Sequence, residues 1–101
     1  MKKSIQRNTT VNPSLQQGLF WYQLYQQAEI AYFSKNYQKA LKTFEYLLEH
    51  YPSHYQLDQL LVKCGVSAKA QGDAQKAASY FRRSFKLKPS EETAQYLQQL
   101  V

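Results

Sequence analysis

Residues 28–44 read AEIAYFSKNYQKALKTF, and residues 65–81 read GVSAKAQGDAQKAASYF. Laid over one another at an offset of 37, they pair Ala28 with Gly65, Ala31 with Ala68, Ala40 with Ala77 and Phe44 with Phe81. Beyond these stretches the same offset pairs Leu24 with Leu61 and Pro52 with Pro89. Similarity at a fixed period of this length marks stacked supersecondary units, each burying its apolar face against the next. Units of this kind mostly bind other molecules and seldom transform them.

The apolar spacing within each unit is helical. Leu24, Ala28, Ala31 and Tyr32 recur at three- and four-residue steps from Phe20 to Ser34. Ser34-Lys35-Asn36 then reads as a tight turn. Tyr37 to His50 carries Ala40, Leu41, Phe44, Leu47 and Leu48 on its buried face, and Pro52 stops it. The pattern restarts with Leu60, Leu61, Cys64 and Ala68 between Leu57 and Gln71, and turns at Gly72-Asp73, where glycine accepts positive φ without strain. Ala74 to Leu87 is expected to present Ala77, Ala78, Phe81, Ser84 and Phe85 inward. Ser90 caps a last helix with Glu91 and Glu92 in its first turn, where the dipole favours negative charge. Upstream, residues 1–11 are polar and aperiodic and are expected to form a flexible tail. Asn12-Pro13 resembles a helix start, with Gly18 a place where a leading helix could divide from the first unit. The whole is one all-α domain over residues 12–101, with units at about 21–54 and 58–91 and a capping helix at 90–101.

The small residues are placed where the two helices of a hairpin must approach closely, and the two phenylalanines fill the adjacent gap. Here the chain resembles the tetratricopeptide repeat, a helix–turn–helix unit of 34 residues. The resemblance rests on Leu24, Ala28, Ala31, Tyr37, Ala40, Phe44, Leu47 and Pro52, and on Leu61, Gly65, Ala68, Ala74, Ala77, Phe81, Ser84 and Pro89. It departs from the family at Ala31 and Ala68, which replace an aromatic residue, and at Leu24 and Leu61, which stand at the tryptophan position. The period is three residues longer than the family norm, with His54-Tyr55-Gln56 marking the extra turn. That spacing, with Phe44 to Ser53, looks like the repeats of bacterial envelope proteins of the TolA-binding and outer-membrane-assembly lipoprotein groups. The resemblance implies a right-handed superhelix of two repeats.

It also implies that the first helices of the repeats line a concave groove. Tyr22, Tyr25, Glu29, Tyr32 and Phe33 of the first repeat, and Val62, Lys63, Val66 and Lys69 of the second, fall on that face. A groove rich in aromatic and apolar side chains suits an extended peptide or an amphipathic helix. The chaperone-binding subgroup grips a carboxylate with basic and amide side chains, but the matching places here hold Tyr25, Glu29, Val62 and Val66, which supply no such clamp. Self-association through the open ends of the array is the alternative, because two repeats bury less surface than the three such arrays normally need.

Composition narrows the remaining readings. The chain has 101 residues, a single cysteine and a formal net charge of +6. One cysteine permits no intramolecular disulfide, and the apolar neighbours of Cys64 suggest a buried thiol. The Lys and Arg residues are scattered except on one helix, where Lys76, Arg82, Arg83 and Lys86 could form an anion-binding patch; a solvated helix face is the plainer reading, and nucleic acid is not the expected partner. His50 and His54 are four residues apart with Pro52 between them and no third ligand, so no metal is expected. No phosphate loop, nucleophile elbow or zinc-type cysteine pairing occurs, so neither an enzyme nor a cofactor is indicated. The basic start has no apolar run behind it, so no signal peptide is read, and a soluble protein, with the cytoplasm as the favoured compartment, is expected.

Overall fold

The computed structural model describes residues 13–51 and 56–100, with side chains from residue 19 onward. The expected tail, Pro52 and His54 lie outside the described residues. Five helices follow one another: α1 (Pro13–Phe33), α2 (Tyr37–His50), α3 (Leu57–Ala70), α4 (Ala74–Leu87) and α5 (Glu91–Gln99). Each packs chiefly on its neighbours in sequence, as short connections require. No strand occurs among the described residues. Helix α1 runs without a break through Gly18, so the first unit begins inside a longer helix than the sequence suggested.

The two interhelical turns are the same structure. Asn36 N–H donates to the Ala31 carbonyl at 2.8 Å, and Asp73 N–H donates to the Ala68 carbonyl at 3.0 Å, a six-residue closure that ends a helix through one left-handed residue. That residue is Gly72 (φ 87°) in the second turn and Lys35 (φ 66°) in the first. The residue after it starts the next helix in both. Asn36 accepts from Lys39 N–H at 3.3 Å and Asp73 accepts from Lys76 N–H at 3.0 Å, each satisfying an orphan donor of the first turn.

The core is built from the paired positions. Ala28, Gly65, Ala31, Ala68, Ala40, Ala77, Phe44 and Phe81 are all buried, and Phe44 and Phe81 are fully enclosed. Phe44 meets Tyr25 and Tyr32 edge-on at 5.9 and 6.1 Å, whereas Phe81 lies flat on Tyr96 of α5 at 4.8 Å. Helix α5 therefore closes the second unit with an aromatic stack. Phe85, expected inside, is 38% exposed, and Tyr80 is buried in its stead. The reason is the junction between the hairpins: the Tyr80 hydroxyl donates to Glu45 on α2, drawing that side of α4 toward the first unit. Burial and the Glu45 hydrogen bond together push the Tyr80 phenol well above its usual range. Cys64 is buried as expected, and desolvation holds its thiol protonated.

Candidate functional site

The C-terminal end of α1, the first turns of α3, the end of α4 and the start of α5 meet around a concave pocket of about 350 Å³. Tyr32 and Phe33 form one wall, Val62 and Lys63 a second, and Thr93 and Tyr96 a third. At the base, Ser84 Oγ donates to the Asp58 carbonyl at 2.9 Å, tying α4 to the start of α3. Asp58, Lys88 and Glu92 also line the pocket. Asp58 lies in the first turn of α3 and is not its cap, a position held by Gln56.

Lys63 organises the side of the pocket that joins the two repeats. Its Nζ donates to the Tyr25 hydroxyl at 2.8 Å, forms an ion pair with Glu29, and sits 5.0 and 5.8 Å from the ring centroids of Tyr25 and Phe33. Burial alone would lower its pKa; the hydrogen bonds to Glu29 and Tyr25 outweigh burial and raise it. The ammonium is thus a fixed positive charge over aromatic faces, the geometry of a cation–π contact. Burial, reinforced by neighbouring Tyr96, Tyr37 and Glu92, pushes the Tyr32 phenol up to about 12, so it remains a neutral donor at the pocket wall.

The expected groove residues do not all come together. Tyr32, Phe33, Val62 and Lys63 share the pocket, and Glu29 joins them through Lys63. Tyr25 is buried, stacked on Trp21 at 4.7 Å, so only its hydroxyl reaches the groove side. Val66 is half-buried against the core, and Lys69 Nζ donates to Gln99 Oε1 on α5 at 3.3 Å. Tyr22 lies apart, 55% exposed, with its hydroxyl accepting from Gln26 Nε2 at 3.1 Å. The pocket also takes in Thr93 and Tyr96, together with Ser84, Ser90 and Glu92, which the sequence places in packing or at the start of the last helix. It is more charged than the aromatic groove expected from the first helices.

Residues 24–54 match the family described as tetratricopeptide repeat. This stretch of the chain is similar to one tetratricopeptide repeat. The matched residues cover most of the hairpin of α1 and α2, and α3 and α4 repeat its turn, caps and core pairs 37 residues later. No curated protein matches the chain. Tetratricopeptide repeats generally mediate protein–protein interaction and are typically non-enzymatic modules. Among the described residues no group of three or more His, Cys, Asp or Glu is placed to hold a metal ion, and no helix is long and apolar enough to cross a membrane. Of the basic residues on α4, Lys76 pairs with Glu45 at 3.1 Å and Arg83 lies 5.8 Å from the Tyr80 ring, so two of the four are engaged within the fold. Arg82 and Lys86 are exposed beside them.

Proposed function

We propose that the pocket between α1, α3 and α5 is the docking site for an extended peptide or a short amphipathic helix of a protein partner. The observation that carries this reading is Phe33. A phenylalanine 70% exposed on the wall of a concave site, next to half-buried Val62 and a fixed ammonium, costs hydration free energy that a ligand side chain would recover. Polar groups at the rim then set orientation, as in small binding sites with a few convergent polar atoms. Lys63 supplies a positive charge held over aromatic faces, Ser90 and Thr93 supply hydroxyls, and Asp58, Glu92 and Lys88 add charges of both signs to the lining. Mixed charge of this kind selects a peptide with both signs over a polyanion.

The test is a peptide-display selection on the folded chain, followed by fluorescence-anisotropy titration of the enriched peptides. Phe33→Ser and Val62→Ser should each weaken binding by about tenfold or more, the loss typical of truncating a hot-spot side chain. Arg82→Ala with Arg83→Ala should leave it unchanged. Failure to enrich any peptide, or peptides indifferent to the pocket substitutions, would sink the reading.

A further inference from the structure

Helix α1 is apolar on opposite sides. Trp21, Tyr25, Ala28 and Ala31 face the core, while Leu19, Tyr22, Gln26, Ile30 and Phe33 run along the side away from it. Leu19, Tyr22, Ile30 and Phe33 are 56, 55, 68 and 70% exposed. A surface helix ordinarily turns charged and polar residues outward. Of the 21 residues in α1, only Glu29 is charged.

The spacing of this outer stripe is symmetric. Counted from Gln26, its members fall at minus seven, minus four, plus four and plus seven, so that reversing the helix about Gln26 reproduces the same pattern. We propose that the stripe is the seam of a homodimer, with α1 packed antiparallel on α1 of a second copy about a two-fold axis through Gln26. In that pairing Leu19 of one copy meets Phe33 of the other, Tyr22 meets Ile30, and the two Gln26 amides, each both donor and acceptor, face one another. Isologous contact of a self-complementary patch is the usual geometry of a two-fold interface. Three- and four-residue steps are those of a helix–helix seam, and one polar residue at its centre fixes register.

The self-complementary spacing and the lack of like charge on α1 favour a second copy as the occupant, in a weak dimer. The net charge of +6 opposes self-association in general, but no Lys or Arg lies in α1, and the pairing sets Glu29 near Gln23 of the other copy, away from its counterpart. The four apolar side chains expose on the order of 100 Å² each. Two copies together then remove roughly 800–1,000 Å² from water, below the roughly 1,200 Å² of standard interfaces and the size of a weak, transient contact.

Sedimentation equilibrium of the full chain across the micromolar range tests the proposal. Wild type should fit a monomer–dimer equilibrium, and Ile30→Glu, at a side chain 68% exposed, should weaken it about a hundredfold while leaving helicity and the melting temperature of the dilute protein unchanged. Under mild oxidation Gln26→Cys should cross-link two copies far faster than Gln75→Cys on α4, with buried Cys64 inert in both. A wild-type monomer at every concentration overturns the proposal, whether residues 1–12 or a different protein cover the stripe. A dimer indifferent to Ile30→Glu, or equal cross-linking at the two cysteines, overturns it as well. Phe33 belongs to both faces, so the two readings are separated at residues of one face alone, Val62 for the peptide and Ile30 for the dimer.

Discussion

Replacing Gly65 with alanine sets two known effects against each other. Gly65 sits inside α3, where a change to alanine should gain about 1 kcal/mol of helix propensity. The added Cβ, however, would stand 2.5 Å from Cε1 of Phe81 and 2.7 Å from Cδ1 and Cζ. Carbon atoms pack at about 3.5–4.0 Å, so the ring would have to retreat by roughly 1 Å. It has no free direction, because Phe81 is fully buried and its other face lies flat on Tyr96, 4.8 Å away and only 7° from parallel. Overpacking a core costs roughly 1–3 kcal/mol, and three ring atoms in conflict place this site toward the upper end. The net expectation is a loss of about 1–2 kcal/mol, or about 4–8 °C in melting temperature for each kcal/mol in a domain of this size. Urea denaturation followed by circular dichroism measures it. Phe81→Leu in the same background should recover the loss, giving a coupling of about 1 kcal/mol or more in the double-mutant cycle. A Gly65→Ala protein as stable as wild type, with no coupling to residue 81, would refute the packing argument.

The turns yield a matched pair of expectations. Lys35→Gly should stabilise the fold by about 0.5–1 kcal/mol by relieving a left-handed lysine, and Gly72→Ala should destabilise it by about as much although nothing lies within 4 Å of the added methyl; thermal melts of both variants check this. Ala40→Leu, at a fully buried helix crossing, should cost roughly 1–3 kcal/mol, whereas Ala70→Leu on an exposed face should shift stability by less than about 0.5 kcal/mol. Equal effects in denaturant titrations would contradict the assignment of the crossing. Alkaline pH should be destabilising. Tyr25, Tyr32, Tyr80 and Tyr96 all have phenols raised from 10.0, Tyr32 to about 12, chiefly by burial. The unfolded chain therefore releases protons that the native state retains, and stability is fully present below pH 10 and falls as pH rises through 12. A denaturation midpoint that is flat across that interval would contradict the burial of these rings.

Much of the architecture was legible because the repeat reports each position twice. Gly72 announces a left-handed turn by its residue type; Lys35 does not, and only the 37-residue register identifies it as the same place. Ala28 against Gly65 reads as a close approach from the sequence alone, yet why one unit tolerates a methyl and the other does not depends on the ring it meets. Phe44 is edge-on to its neighbours, whereas Phe81 is stacked flat. The binding face was less legible. With apolar residues all round α1, periodicity gives no phase, so Tyr25 read as a groove residue although it is stacked against Trp21 inside. Ser84, Ser90 and Thr93 are small polar residues that serve helix caps and interhelical ties, and nothing in their spacing announces that α5 completes a pocket wall. Phe85 and Tyr80 exchange places for a reason no helical wheel contains, the pull of Glu45 from the neighbouring hairpin.

The claim that the concave face is the binding face is tested most directly by mapping amide and aromatic NMR shifts of the full chain as a display-selected peptide is added. The perturbed resonances should cluster at Tyr32, Phe33, Val62, Lys63 and Thr93 around the pocket. Perturbations centred on Lys76, Arg82, Arg83 and Lys86 of α4, with the pocket silent, would contradict it.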